Sequence, residues 1–175
     1  TANGVDVPAT TPSTQTPETW TNLFTRVTDS SRPLWEGTSR AGKVLQVANN
    51  ANFWSEIPNS RYVKIQLVGT NVLSLAEVLI RNSANADLAT GRPTSQSSTD
   101  FGGVSGRAVD GNRDGTFDNN SVTHTTTEYQ PWWQVDLGAS SQISRIRIFN
   151  RTDCCEDRLQ NFYIFAASFD MSGKT

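Results

Sequence analysis

From Trp20 onward the apolar residues of this chain recur in short runs rather than in helical stripes. The runs "WTNLFTRV", "KVLQVAN", "RYVKIQL", "AEVLI", "WWQVDLG", "QISRIRIFN" and "NFYIFAAS" are rich in β-branched and aromatic side chains and are separated by Gly, Asn, Asp, Ser or Pro. Runs of that length, bounded by turn formers, predict strands. In "RYVKIQL", Val63, Ile65 and Leu67 alternate with Lys64 and Gln66, the period of a half-buried strand. Trp132 and Trp133 open a strand on which Val135 and Leu137 alternate, so at least one of the two indoles is expected in the core. The pattern predicts an all-β fold, two packed antiparallel sheets in a β-sandwich or jelly roll.

The pattern also divides the chain. Residues 1–19, "TANGVDVPATTPSTQTPET", show no apolar period and have the composition of a linker or disordered arm. Residues 20–175 are expected to form a single domain, since 175 residues suit one core better than two.

Composition narrows the partners. The net charge is −2 with both signs interspersed, which argues against bulk binding to nucleic acid or to anionic lipid. No stretch approaches the roughly 18 apolar residues of a membrane span. The abundance of Thr, Ser and Asn, with only 35% hydrophobic residues, is that of secreted β-rich proteins. No signal-peptide pattern opens the sequence, which fits a mature secreted chain as well as a cytosolic one.

Candidate chemistry concentrates between residues 107 and 158. The loop "DGNRDGTFDNNS" places Asp110, Asn112, Asp114 and Gly115 like the start of an EF-hand, but its twelfth position is Ser121 rather than Glu, and no helical pattern flanks it. A Ca²⁺ site of other geometry and a plain Asp/Asn/Gly turn both remain open readings. The only cysteines, Cys154 and Cys155, are adjacent. A disulfide between them would close almost no loop, so it would shape the backbone locally rather than stabilise the fold; two buried thiols are the plainer alternative. Two sequons, at Asn119 and Asn150, fall in the same region. They are expected to be unused, which points to a bacterial source.

His124, Arg151, Asp153 and Arg158 complete the set. One histidine without a nucleophile-elbow serine or a marked acid partner argues against a hydrolytic triad, and no marked carboxylate pair suggests a glycosidase. Zinc would have to draw on His124, Cys154 and Cys155, and adjacent cysteines do not easily reach one tetrahedral ion. Two guanidinium groups supply donors, an imidazole can accept or donate, and a disulfide face is polarisable and apolar. That combination suits a neutral polyol with one apolar face, such as a sugar, with Asp153 holding the guanidinium groups. An ordinary surface ion-pair cluster would use the same residue types.

These residues also resemble those of a known family. From Asp87 to Ser168 the stretches "DLATGRPTSQSS", "RAVDGN", "VTHT", "PWWQVDLG" and "NRTDCCEDRLQNF" follow one another as in the F-type lectins, or fucolectins. His124, 26 intervening residues, then Arg151-x-Asp153-x4-Arg158 match that family's signature position by position. The resemblance implies a β-jelly roll that binds terminal α-L-fucose on blood-group or Lewis-type glycans, with a structural Ca²⁺ nearby and no catalytic residues. It implies that His124, Arg151 and Arg158 hydrogen-bond the sugar and that a Cys154–Cys155 disulfide packs against its ring. Phe117 is the candidate wall for the methyl group, and Thr99, Asp100 and Phe101 lie on a loop that would set selectivity. The implied Ca²⁺ ligands are the Arg107 and Ala76 carbonyls with Asp110, Asn112, Ser121 and Glu77.

One departure concerns order. Residues 61–80 resemble the end of an F-type domain yet precede the stretch that should open it. Two half-sandwiches would leave sheet faces uncovered and edges unpaired, so one circularly permuted domain is expected, with residues 20–82 as closing strands and 85–175 as opening strands with the site. A permuted module of this kind joined to a secreted streptococcal cholesterol-dependent cytolysin is the nearest arrangement. A related alternative is a discoidin-type module for membranes or protein partners, since "WWQVDLG" occurs there too.

Overall fold

Alternation of apolar side chains sets the register of every long strand. In the computed structural model, which describes residues 59–160 and 162–173 and the backbone of residues 5–6 and 44–48, the secondary structure is strand and short 3-10 turn, with no α-helix among the described residues. The strands are β1 (Val5–Asp6), β2 (Val44–Ala48), β3 (Ser60–Leu67), β4 (Thr70–Asn71), β5 (Leu75–Arg81), β6 (Thr94–Gln96), β7 (Glu128–Tyr129), β8 (Trp132–Ser141), β9 (Arg145–Asn150) and β10 (Phe162–Ala167). The expected arm over residues 1–19 and the run "WTNLFTRV" lie outside the described residues apart from β1.

Two four-stranded sheets face each other. One has the order β10-β3-β8-β6 and is antiparallel throughout; the other has the order β1-β2-β9-β5, antiparallel except for the β1–β2 pair. The all-β sandwich expected from the pattern is the fold observed. Each sheet mixes strands from before residue 82 with strands from after residue 85. Thus β3 lies between β10 and β8, with Ile65 opposite both Ile164 and Trp133, and β9 lies between β2 and β5, with Ile148 opposite Leu45 and Val78.

The inner faces supply the core. Val63 and Ile65 from β3, Val78 and Ile80 from β5, Trp133 and Val135 from β8, Ile146 and Ile148 from β9 and Phe162 and Ile164 from β10 are fully buried. Burying each such side chain is worth roughly 1.5–3 kcal/mol. Trp133 is the core indole of the pair, and its Nε1–H donates to the Ser105 carbonyl at 2.9 Å, so the polar end of the ring is satisfied.

The half-buried reading of β3 needs a correction. Val63, Ile65 and Leu67 point inward as expected, but Lys64 and Gln66 on the other face are buried as well. Gln66 Nε2 donates to Gln130 Oε1 at 3.2 Å, and residues 168–173 cover Lys64. Gln134 Nε2–H donates to Asp170 at 2.7 Å, Met171 N–H donates to Gln134 at 2.8 Å, and the Lys64 ammonium donates to the Met171 carbonyl at 3.2 Å. That ammonium also lies 4.9 Å from the centre of the half-buried Trp132 ring. Burial pulls the Lys64 pKa down to about 8, against the pull of Asp170.

One irregular segment completes the frame. Residues 121–126 form no strand, yet they are laced to the start of β5 by alternate backbone and hydroxyl bonds. Leu73 N–H donates to Thr125 Oγ1 and Leu75 N–H to Thr123 Oγ1, both at 2.9 Å. Thr125 and Thr123 return their own N–H groups to the Leu73 and Leu75 carbonyls. Threonine suits this place because its hydroxyl can act as a second acceptor where the ladder ends.

Candidate functional site

The laced segment holds His124, 6% exposed, between two aromatic rings. Phe101 stands edge-on to the imidazole with centroids 5.3 Å apart, and Phe117 meets it at 5.4 Å. His124 Nδ1 lies 2.8 Å from the Thr125 carbonyl. A carbonyl can only accept, so Nδ1 carries the proton and Nε2 is left as an acceptor. Burial pulls the pKa of His124 below its ordinary value; the Thr125 carbonyl opposes this, and the charges of Arg151 and Arg158 add to it. The ring is therefore a neutral acceptor at neutral pH. Gly103 makes this packing possible, since a Cβ there would fall 2.5 Å from the His124 Cβ and backbone nitrogen.

Arg151 leaves the end of β9 and is fixed by Asp153. Arg151 Nε donates to Asp153 Oδ1 at 2.6 Å and its Nη2 donates to Oδ2 at 3.0 Å, a two-pronged pair. The same carboxylate accepts the N–H of Cys154 at 3.0 Å and that of Phe117 at 3.3 Å. The Arg151 hydrogen bond, the largest cause, holds Asp153 below the usual carboxylate range despite partial burial. Asp153 is thus spent on positioning. The Phe117 ring lies under two guanidinium groups, Arg151 at 4.8 Å and Arg107 at 5.7 Å.

Arg158 differs from Arg151 in having its donors in hand. It ends the 3-10 turn Glu156–Arg158, which Asn150 Nδ2–H anchors through the Glu156 carbonyl at 2.7 Å. Its backbone N–H donates to the Cys155 carbonyl, while its guanidinium makes no hydrogen bond or ion pair among the described residues. Cys154 and Cys155 are joined by a disulfide, partly exposed, with Cys155 in the left-handed region at φ 58°. Bonded sulfurs offer no thiolate, so zinc on His124, Cys154 and Cys155 is excluded. Both sequon asparagines have their amides engaged: Asn150 is buried on Glu156, and Asn119 Nδ2 donates to Asp114 at 2.6 Å.

The loop between the site and β5 folds on its own side chains. Asp110 accepts from Asn112 N–H, Asn112 from Asp114 N–H, and Asp114 from Thr116 N–H, at 2.7, 3.1 and 2.9 Å. Such turns use the short acceptors of Asp and Asn to bend the backbone. Ser121 is buried and donates its hydroxyl to the Thr116 carbonyl at 2.9 Å. The register of β5 against β9 shifts between Leu75 and Glu77, and Ala76 and Glu77, both buried, lie against the loop side of the sheet: Ala76 packs with Leu79, Val122 and Phe149, and Glu77 lies near Asp110 and Gly111.

Glu77 is the unusual member. It is fully buried, and neither carboxylate oxygen has a well-formed hydrogen bond. Burial first, and the charge of Asp110 second, push its pKa up to about 8, against the weaker pull of the Gly111 N–H and the charge of Arg113. An orphaned buried carboxylate costs free energy unless it is neutralised. Among the described residues no cluster of three or more His, Cys, Asp or Glu stands ready for a metal. The expected set instead combines the acids Glu77 and Asp110 with carbonyl, amide and hydroxyl oxygens, donors that a hard cation accepts. The residues fit such an ion.

Three contributors escape a reading of the sequence. Gln96 holds the loop before His124, Gly103 makes room for the histidine, and the Thr125 carbonyl selects its tautomer. The Gly-Gly pair at 102–103 is the one signal that points to the second of these. Phe101, expected only as a selectivity residue, also packs on the histidine.

Parts of this chain are similar to known proteins. The family of NedA-like, galactose-binding domains matches residues 107–170. Fucolectin-1 of Anguilla japonica is 48% identical over 54 residues, 31% of this chain and 30% of the relative. Fucolectin of Anguilla anguilla is 46% identical over 52 residues, 30% of this chain and 33% of that protein. A pentraxin fusion protein of Xenopus laevis is 32% identical over 53 residues, 30% of this chain and 13% of its own length. The chain therefore spans about a third of the length of the curated fucolectins it matches. No solved structure matches. The segment that carries His124, Arg151 and Arg158 thus lies within the match to a galactose-binding domain, and about a third of the chain is similar to fucolectins.

Proposed function

We propose that this chain is a lectin module of the F-type kind, circularly permuted, that binds terminal α-L-fucose on blood-group or Lewis-type glycans. The observation that carries the reading is the pairing of a buried neutral acceptor, His124 Nε2, with the guanidinium of Arg158, which has no partner among the described residues, beside the fixed guanidinium of Arg151. A neutral sugar needs both kinds of partner, because each hydroxyl can donate and accept at once. The disulfide of Cys154 and Cys155 offers the apolar floor for the ring, and Phe117 the wall for the methyl group. Similarity to fucolectins over 52–54 residues supports the choice of fucose.

Ca²⁺ takes the place beside Glu77 in this reading, held by Glu77, Asp110, Asn112, Ser121 and the Arg107 and Ala76 carbonyls. Its role is structural: it neutralises a buried carboxylate and braces the loop that carries Phe117. The module does no chemistry on its ligand. The carboxylate nearest the arginines, Asp153, is fully engaged as an acceptor and is held ionised, unsuited to the acid role that glycoside cleavage needs. Trp133 is core and Trp132 is covered by Lys64, so neither indole favours insertion into a membrane. No described helix is long and apolar enough to cross one. The module is secreted, from a bacterial source, and addresses a larger protein to fucosylated cell surfaces; one relative is itself a fusion protein.

A glycan array read with and without EDTA tests the whole reading. Signal confined to fucosylated glycans and weakened by EDTA is expected; binding to unfucosylated glycans alone overturns it. Arg158→Ala should reduce fucose affinity by at least tenfold, since a charge-assisted hydrogen bond contributes about 1.5–3 kcal/mol.

A further inference from the structure

Two arginines face each other where β5 ends and β9 begins. Arg81 pairs directly with Arg145 across the ladder, and the neighbouring pair, Ile80 with Ile146, fills the core. Alternation therefore puts both guanidinium groups on the outer face of this sheet, the face that Arg147 shares two residues on. Side chains directly opposite in an antiparallel pair have Cβ atoms about 5 Å apart, and like charges in that position destabilise the sheet.

Among the described residues no acid answers either charge. The Arg145 guanidinium makes no hydrogen bond or ion pair there. Arg81 Nη1 donates to the Asn85 carbonyl at 3.2 Å, but its Nε is buried without a partner. Asp87, which forms an isolated bridge with Arg81, commits its carboxylate to the Ala89 N–H and the Thr90 hydroxyl, each at 3.0 Å. Elsewhere the chain fills this edge of the guanidinium. Arg61 gives Nε and Nη2 to Asp136 at 2.7 Å each, and Arg151 gives the same two atoms to Asp153. At Arg81 that edge meets no carboxylate among the described residues, and a buried donor left so costs free energy.

The backbone around the pair is fixed in advance. Ser144 donates its N–H and its hydroxyl to the Arg81 carbonyl at 2.8 and 3.0 Å, which ties the two strand ends together. The turn that supplies the Asn85 carbonyl is closed by Asn85 N–H on the Asn82 carbonyl and by Ala86 N–H on Asn82 Oδ1, both at 2.9 Å. A planar fork held in this way loses little freedom on binding.

We propose that Arg81 and Arg145 form the seat of a tetrahedral oxyanion, a sulfate or phosphate group, either free or as the ester of a sugar. Two of its oxygens take the Nε–Nη2 edge of Arg81 and a third takes the guanidinium of Arg145. That bonding satisfies the buried donor and turns the repulsion between the pair into a shared attraction. A carboxylate, with two oxygens in one plane, serves one fork; a tetrahedral group can serve two. The seat lies at the other end of β9 from Arg151, about 20 Å along the strand, and does not rest on the sugar reading.

NMR of the whole chain can follow the arginine Nε–H signals during titration at constant ionic strength. The probes are sodium sulfate, sodium phosphate, glucose 6-sulfate and glucose 6-phosphate, with glucose as the control. At least one of the four should give a saturating shift at Arg81. Tighter binding of an ester than of its free ion assigns the group to a sugar, and the reverse assigns the free ion; both support the seat. Arg145→Gln should weaken binding at least about tenfold, the scale of one charge-assisted hydrogen bond. In sodium chloride alone the same variant should melt at or above the wild type, because a like-charge pair is gone, and in saturating oxyanion below it. No saturating shift with any of the four probes, an affinity unchanged in Arg145→Gln, or the same order of melting in chloride and in oxyanion overturns the proposal.

Discussion

His124 shows how much a single carbonyl can decide. With Nδ1 committed to Thr125, only Nε2 can face a ligand, and it does so as an acceptor for as long as the ring stays neutral. Burial keeps the pKa below the ordinary 6.5, so a fucose titration should give level affinity from pH 8 down to about 6.5 and a decline below that. The sign follows from the acceptor role: protonation turns Nε2 into a donor facing two guanidinium groups. Stability should follow the same direction, because the unfolded chain takes up the proton first as pH falls. Affinity that rises on acidification would show that a charged imidazole is the binding form. The spacing of His124, Arg151, Asp153 and Arg158 makes these four residues legible in the sequence. The tautomer is not legible there, because it depends on where one backbone carbonyl points. Nor is the exposure of Phe101, since a lone aromatic in a polar loop reads equally well as a core anchor.

At the scale of elements, the bulge in β5 and the loop over residues 110–121 depend on each other. The bulge places Glu77, buried, beneath the loop, and the loop sets Asp110 near it without closing a well-formed hydrogen bond. Addition of Ca²⁺ at a hundredfold excess over its Kd should stabilise the chain by about 2.7 kcal/mol, or roughly 5–10 °C in Tm. Glu77→Gln should abolish that response while leaving a folded chain, because a neutral amide removes the buried charge. A calcium response retained in Glu77→Gln, measured by thermal melting, would move the ion elsewhere. The acid-rich loop is visible in the sequence as a cluster of oxygen donors, whereas the ligand set comes from resemblance alone. The bulge itself leaves no trace in the apolar run "AEVLI", since a shifted register does not alter a continuous pattern.

At the scale of the molecule, the two sheets are built from strands that the chain supplies out of neighbourly order. β3 borders both β8 and β10, and β5 borders β9. A fragment starting at residue 85 would leave β8 and β10 without the strand between them, with unpaired edges on both. It should show no cooperative unfolding transition by circular dichroism, whereas residues 59–175 at least approach a closed core. Cooperative melting of the shorter fragment would mean that the early strands are an accessory. The sandwich is readable because period-2 alternation survives in β3, β8 and β10. The cover over Lys64 is not, because Met171, whose carbonyl takes its ammonium, lies more than 100 positions away and is held there through Gln134 and Asp170.

The placement of β3 has a consequence for how the protein comes into being. Its partner on one side, β10, is separated from it by most of the described chain: Leu67 pairs with Phe162. The closure entropy of so long a loop must be met before the pairing returns anything, which slows folding toward the millisecond-to-second range. During synthesis β3 emerges early and waits, its edge open, until the last strand is made. The order of its strands therefore ties completion of the β10-β3-β8-β6 sheet to the arrival of β10.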